Sequence, residues 1–254
     1  MNSAELLELV RGDELDERQA LDVLRNSYCT VETAEIVADS SHLLRSHVVR
    51  EVLSGIRGFP FARTMTLLAT LPWTSLLNLA QSPSAPPVVR RHAEKKLLGN
   101  LPRMSLGEKV ALARRAHRPL FGMLISSADV QVLIALLNNP RLVENDILVI
   151  LNTAAAAPEF FATLAKHQKW GHYYGVRRGL AECPRTPLPI ALSALVQLRR
   201  VDLEQVCAQE GLSDQVRTAA RGLLEKEQQG LRRVVRSTLN DREDRPSDST
   251  DGIR

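Results

Sequence analysis

Residues 76–97 read LLNLAQSPSAPPVVRRHAEKKL, and this stretch predicts a helix, a proline-rich turn and a second helix. The apolar residues before the turn recur at spacings of three and four, which is typical of one face of an α-helix. The prolines end the first helix, because a proline in a helix interior costs about 3 kcal/mol. Twelve of the thirteen prolines fall between Pro60 and Pro189, so the helices of this region are predicted to be short.

The same pattern recurs over 203–224, at an offset of 127 in the numbering. The matching positions are Leu76, Leu79, Ala80, Val89, Arg90, Ala93 and Leu97, which correspond to Leu203, Val206, Cys207, Val216, Arg217, Ala220 and Leu224. A shorter match at an offset of 44 pairs Asn139-Pro140-Arg141 with Cys183-Pro184-Arg185. A recurring helix pair predicts an α-solenoid, in which neighbouring units bury one another's apolar faces. Chance alignment of leucine-rich helices is the alternative.

Three segments resemble bacterial HEAT-like repeats of the leucine-rich-repeat-variant kind: AQSPSAPPVVRRHAEKKL, LLNNPRLVENDILVIL and LAECPRTPLPIALSAL. In that family an N-P-x-T-P turn separates two helices, and V-R-x-x-A opens the next helix. The resemblance is clearest over 70–225. It implies an all-α fold, an α-solenoid of short helix pairs with irregular repeats, and it implies almost nothing about activity.

The chain is accordingly predicted to form one α-helical repeat domain over 1–225. Over 226–254 the sequence predicts an extension of the last helix to about Leu239, followed by a disordered tail. The tail is charged, rich in Ser and Asp, and interrupted by Pro246, and such a composition buries too little apolar surface to fold.

Helix starts are predicted at three polar residues that precede apolar runs. Ser105 and Glu108 have the spacing of a capping box, in which each side chain bonds the other residue's backbone amide. Asp202 and Ser213 are predicted to be N-cap residues.

The composition is that of an ordinary globular protein, with 44% hydrophobic, 24% charged and only 4% aromatic residues. No apolar run approaches the roughly 18 residues needed to cross a bilayer, and the acidic N-terminus does not resemble a signal peptide. Cys29, Cys183 and Cys207 form no CxxC pair, and their odd number leaves at least one thiol free. A cytoplasmic location and no membrane association are therefore expected.

Familiar catalytic and cofactor motifs are absent from the sequence. It contains no GxGxxG or GxxxxGK phosphate loop, no GxSxG and no HExxH. His42 and His47, like His167 and His172, are five residues apart, which places the two rings of a pair roughly 140° apart on a helix. We therefore expect no enzyme activity, no cofactor and no metal. An enzyme that assembles its site from distant repeats stays open as an alternative.

The segment 160–178, FFATLAKHQKWGHYYGVRR, interleaves aromatic rings with cations, and double arginines recur elsewhere. Such a surface can bind a protein or stack on nucleotide bases. The predicted partner-binding residues are Trp170, Tyr173, Tyr174, Arg177, Arg178, Arg90, Arg114 and Arg199. The alternative interpretation places Phe160 and Phe161 in the core and uses Trp170 and Tyr173 to close a gap between repeats.

Charge is distributed unevenly along the chain, with a net −7 over residues 1–40 and +10 over residues 41–225. Together with the predicted architecture, this favours a non-catalytic α-solenoid scaffold that binds a protein partner. Binding of nucleic acid by a basic face is the alternative function. Self-assembly, with the acidic N-terminal region of one copy on the basic face of another, is a further possibility.

Overall fold

The computed structural model describes residues 2–12, 15–126, 129–153 and 157–243, with side chains as far as residue 229. Every regular element within these ranges is helical, which confirms the all-α prediction. None of the helices described is both long and apolar enough to cross a membrane. Backbone contacts divide the chain into two compact units, unit 1 over 1–127 and unit 2 over 128–254. The sequence predicted a single repeat domain over 1–225 and did not indicate a boundary near residue 127.

The described part of unit 1 contains nine α-helices and two short 3-10 helices. The α-helices are α1 (Ser3–Gly12), α2 (Glu17–Arg25), α3 (Val31–Asp39), α4 (His47–Gly55), α5 (Phe61–Ala69), α6 (Trp73–Gln81), α7 (Pro87–Asn100), α8 (Leu106–Arg115) and α9 (Arg118–Ser126). The 3-10 helices are Leu43–Arg45 and Leu101–Arg103.

In the described part of unit 2 there are seven α-helices and one 3-10 helix, Trp170–His172. The α-helices are α10 (Val130–Leu137), α11 (Glu144–Asn152), α12 (Pro158–Lys166), α13 (Tyr174–Glu182), α14 (Leu188–Leu195), α15 (Arg200–Ala208) and α16 (Asp214–Glu243). Helix α16 extends past Leu239, so residues 240–243 are helical. The rest of the predicted tail, 244–254, lies outside the described residues.

Local capping explains where several helices start. Ser105 and Glu108 form the predicted capping box at the start of α8, and the Ser213 hydroxyl accepts a hydrogen bond from the amide of Val216 at the start of α16. The prediction for Asp202 was wrong, because α15 starts two residues before it and Arg199 occupies the N-cap position. Asp202 is the third residue of α15 and is buried.

Within each unit, helices pack against the helix two positions further along the chain. In unit 1, α1 packs against α3, α2 against α4, and α4 against α6. In unit 2, α10, α12, α14 and α16 form one packed series, and α11, α13 and α15 form the other. Successive helices also touch, most extensively α6 with α7 and α15 with α16. Unit 2 therefore has two series of alternating helices, and in unit 1 the same packing links α1 to α3 and joins α2, α4 and α6.

The two units share one helical layout at a constant offset of 127 in the numbering. Helices α2, α3, α4 and α6 have the same lengths as α11, α12, α13 and α15, and the first residues of each matched pair differ by this offset. The starts of α5 and α14, of α7 and α16, and of the 3-10 helices at Leu43 and Trp170 obey the same offset. No insertion or deletion separates the two layouts over these helices, so the match extends well beyond the residues that first indicated it.

Burial follows the same register. Pairs of buried residues at corresponding positions include Leu6 and Leu133, Val49 and Val176, Leu53 and Leu180, Leu76 and Leu203, and Ala93 and Ala220. The shorter match at offset 44 also holds locally, because α10 and α11 start 44 residues before α13 and α14, and Leu136 and Leu151 are buried like Leu180 and Leu195. The register at offset 127 relates more helices than this shorter match.

Candidate binding surfaces

The first residue of the predicted contact surface, Trp170, belongs to the core. Its side chain is 2% exposed, and the indole Nε1 donates a hydrogen bond of 2.9 Å to the backbone oxygen of Leu137 at the end of α10. Phe160 and Phe161 are fully buried, as the alternative interpretation predicted. The assignment of Trp170 to a partner surface is corrected, because a buried ring cannot meet a partner. Tyr173 is 41% exposed and packs on the Trp170 ring with centroids 5.1 Å apart.

Two predicted contact residues, Tyr174 and Arg178, contact the buried carboxylate of Asp202, and a third, Arg199, contacts Tyr174. The Tyr174 hydroxyl donates to one oxygen of Asp202, and Arg178 Nη1 lies 3.3 Å from the other. The backbone amide of Arg199 donates to the Tyr174 hydroxyl over 2.9 Å, and its guanidinium lies 4.9 Å from the Tyr174 ring centroid. Partial burial, together with the hydrogen bond to Asp202, raises the pKa of Tyr174.

The remaining donors of Arg178 are also used within unit 2. Its Nε donates to Glu182 over 2.6 Å and its Nη2 to Gln205 over 2.8 Å. The hydrogen bond to Glu182 raises the pKa of Arg178. This polar network joins α13 to α15, and its principal side chains are satisfied within the unit. We therefore assign it a structural role in holding the two helices together.

The Val-Arg pairs recur at the same place in four helices. They are Val49-Arg50, Val89-Arg90, Val176-Arg177 and Val216-Arg217, at the third and fourth residues of α4, α7, α13 and α16. All four valines are buried, whereas the four arginines are only half-buried. The valine of each pair therefore serves the core, and the arginine lies at its edge.

Two arginines of this set, Arg90 and Arg177, were predicted to contact a partner, and they differ in their hydrogen bonds. Arg177 Nε donates to the backbone oxygen of Gly171 over 2.8 Å, and its Nη2 lies 3.2 Å from His172. In Arg90 the Nε is buried and unpaired, and the same is true of the Nε of Arg217, the corresponding residue of unit 2. Two of the predicted arginines are exposed: Arg114, near the end of α8, and Arg199, just before α15.

The histidines considered as metal ligands in unit 2 have separate local roles. His167 Nδ1 accepts hydrogen bonds from the amides of Lys169 and Trp170 at 3.2 and 3.3 Å, and partial burial lowers the pKa of His167. His172 instead lies beside Arg177. Across the described ranges, no three His, Cys, Asp or Glu side chains are grouped so as to hold a metal ion.

A groove between α5 and α7 in unit 1 combines exposed apolar side chains with cations. It encloses about 390 Å³ and is lined by Met65, Leu68, Ala69, His92, Lys95 and Lys96. Phe61 at its edge is 54% exposed, and Val88 on α7 is 40% exposed. We call this feature the α5–α7 groove.

Two contacts cross the α5–α7 groove. The rings of Phe61 and His92 meet edge to face with centroids 5.7 Å apart. Near the other end of α5, Lys96 Nζ donates a hydrogen bond of 2.7 Å to the backbone oxygen of Ala69. The groove was missed at the level of the sequence, because α6 lies between its two helices along the chain. On these two helices, the sequence marked only Arg90 of α7 as a contact residue.

A larger groove of about 580 Å³ lies at the ends of α2, α4 and α6 in unit 1. Its polar groups are partly satisfied by one another: Asn78 donates to Glu51 over 3.0 Å, and Arg57 donates to the backbone oxygen of Ser84 over 3.4 Å. The side chains that line this groove include both acidic and basic residues, and several are hydrogen-bonded within the protein. The groove therefore shows no preference for an acidic or a basic ligand. The α5–α7 groove is the better candidate.

Comparison with protein-family models, with curated proteins and with solved structures finds no match.

Proposed function

We propose that this protein is a non-catalytic scaffold whose units are short HEAT-like α-solenoids, and that it binds a protein partner through the α5–α7 groove. The packing of alternate helices into two series in unit 2, and of α2, α4 and α6 in unit 1, supports the solenoid, because stacking of repeated helix pairs produces this pattern. The three cysteines are unpaired, which suits a reducing compartment such as the cytoplasm.

One observation carries the binding proposal: Phe61 leaves 54% of its side chain exposed beside a basic groove with an apolar floor. Large aromatic residues and arginine are enriched at the centres of protein interfaces. Burying the ring on a partner would remove apolar area from water, at roughly 25 cal/mol per Å².

The cysteines give no support to a catalytic role. Burial raises the pKa of the Cys29 and Cys207 thiols, and a raised pKa disfavours the thiolate that acts as nucleophile. Neither thiol is therefore supported as a catalytic nucleophile.

Nucleic acid is the second candidate partner, because His92, Lys95 and Lys96 could also contact phosphates. The apolar side chains of the groove favour protein, since Phe61 and Met65 offer apolar surface and a phosphate backbone has none to bury against it. Anisotropy of labelled duplex DNA and single-stranded RNA at about 50 and 200 mM salt distinguishes the two. Tight binding that weakens steeply with salt would favour nucleic acid.

Site-specific crosslinking tests the proposal directly. A photoreactive phenylalanine analogue replaces Phe61 in the full chain, expressed in its native cells, and the matched control places it at Tyr28, an aromatic residue of the same unit that is 61% exposed. We expect a discrete protein adduct at position 61 and none at position 28. Equal adducts at both positions, or adducts to nucleic acid alone, would contradict the proposal.

A further inference from the structure

We propose that the α5–α7 groove binds an acidic amphipathic helix of its partner, with apolar anchors on Phe61 and Met65 and carboxylates facing His92 and Lys95. This inference rests on the proposed function, because it names the class of partner for the same groove.

The charge of the groove favours an acidic ligand. Helix α5 contains no acidic residue, and α7 contains one, Glu94, whose carboxylate lies 3.8 Å from His117. Lys96 is bonded to the end of α5, whereas Lys95 is exposed, and Arg91 lies one helical turn before it on the same face of α7. Carboxylates of a partner would meet these cations without an opposing charge in the lining of the groove.

The apolar part of the groove requires hydrophobic anchors in the same ligand. Leu68 forms a buried floor, and Met65 is half-buried beside it. The exposed side chains of Phe61 and Val88 extend the apolar surface beyond the floor. A purely acidic, hydrophilic peptide would leave this surface in water, so the ligand that fits is amphipathic.

The groove selects a helix over an extended segment. From Phe61 to Ala69, α5 rises about 12 Å, or about two helical turns, which leaves room for two ligand anchors that lie four residues, about 6 Å, apart. A peptide that binds by adding a β-strand needs a strand edge for its backbone hydrogen bonds, and the described residues include no strand. A helix satisfies its own backbone and presents only side chains to a groove.

The corresponding positions of unit 2 show that the fold does not require these residues. At offset 127, Phe61, His92, Lys95 and Lys96 are replaced by Leu188, Ala219, Gly222 and Leu223. The same helical layout is thus built without an aromatic ring or a cation at these positions. The basic and aromatic set in unit 1 is therefore free to serve binding.

The test uses the full-length protein and a fluorescein-labelled synthetic peptide of about 16 residues, designed as a helix with two leucines four residues apart and glutamates on the remaining exposed positions. Two control peptides carry lysines or glutamines in place of the glutamates. We expect the acidic peptide to bind with an affinity that falls as salt rises, and about tenfold or more above that of the lysine peptide.

Three variants locate the binding. The double charge reversal Arg91→Glu with Lys95→Glu and the single change Phe61→Ala should each weaken the acidic peptide about tenfold. The matched control is Arg18→Glu, an exposed charge reversal on α2 of the same unit, which should leave the affinity unchanged. Circular dichroism verifies that each variant is folded.

The outcomes separate this inference from the proposed function. Equal binding of all three peptides that is lost in Phe61→Ala would keep the groove as a protein site and overturn the acidic class. Binding of the acidic peptide that survives both the charge reversal and Phe61→Ala would overturn the location. Failure of all three peptides would overturn this inference alone. Salt-sensitive DNA binding that is lost in the charge reversal would, in addition, overturn the proposed function.

Discussion

The ring of Phe61 meets the ring of His92 edge to face, with centroids 5.7 Å apart, and more than half of the Phe61 side chain stays exposed. The contact joins α5 to α7 without placing either ring in the core. Phe61 therefore does not pack in the core. Its substitution can test binding with little change in the stability of the fold.

Phe61→Ala should change the free energy of unfolding by less than about 1 kcal/mol, because most of the ring is already in water. Phe161→Ala should cost about 3–5 kcal/mol, since that ring is fully buried in unit 2. Urea denaturation followed by circular dichroism measures both values. Should Phe161→Ala fail to fold, Phe161→Leu replaces it, and a cost no larger than that of Phe61→Ala would show that the burial is wrong.

Trp170→Phe tests the hydrogen bond between the indole and Leu137. The variant removes the donor and leaves a backbone oxygen without its partner, which should lower the free energy of unfolding by about 1–3 kcal/mol. Trp73→Phe is the control, because Trp73 is half-exposed and its contact with Glu108 lies at the surface. Equal stability of Trp170→Phe and the wild type in urea denaturation would rule out the buried bond.

Tyr174 should make stability depend on pH in the alkaline range. Its pKa is raised in the folded state by partial burial and by the bond to Asp202, so its contribution is fully present below the unfolded pKa of about 10 and is lost as pH rises through the folded pKa. The stability difference between wild type and Tyr174→Phe should therefore be constant below about pH 9 and shrink above about pH 10.

Tyrosinate absorbance gives an independent check of the same prediction. The chain has three tyrosines, and the ionisation step that Tyr174→Phe removes should lie above about pH 10, because the pKa of Tyr174 is raised. Removal of a step at or below about pH 10 would contradict the arrangement around Asp202.

Two glycines in unit 2 should respond oppositely to alanine. A Cβ at Gly179 would lie 2.8 Å from Leu148 Cδ2 and 3.0 Å from Leu151 Cδ1, whereas nothing lies within 4 Å of a Cβ at Gly222. Gly222→Ala should gain about 0.5–1 kcal/mol of stability from helix propensity. Gly179→Ala should gain nothing or lose about 1–3 kcal/mol, because the leucines must move. A stabilised Gly179→Ala in thermal unfolding would show that α11 and α13 are less closely packed.

The helices themselves could be predicted from the sequence, because their signals are local. Apolar spacing, proline positions and the Ser105 capping box depend on residues within a few turns of one another. The repeat at offset 127 was also visible, since Val89-Arg90 and Val216-Arg217 occupy equivalent turns with a buried valine in both units. Asp202 was wrongly predicted to be an N-cap because aspartate is common at that position. Its burial depends on contacts with Tyr174 and Arg178 of α13, which no local pattern around Asp202 reveals.

The candidate site depended on tertiary structure. The sequence marked Trp170 and its neighbouring cations as a surface, yet packing at the end of α10 buried the ring, and Tyr174 and Arg178 found partners on α15. The groove that joins Phe61 to His92 had no signal in the linear pattern, because α6 lies between its two helices along the chain. Amphipathic periodicity determines which residues can be buried, whereas the packing of α5 beside α7 decides which apolar and charged side chains are left for a partner.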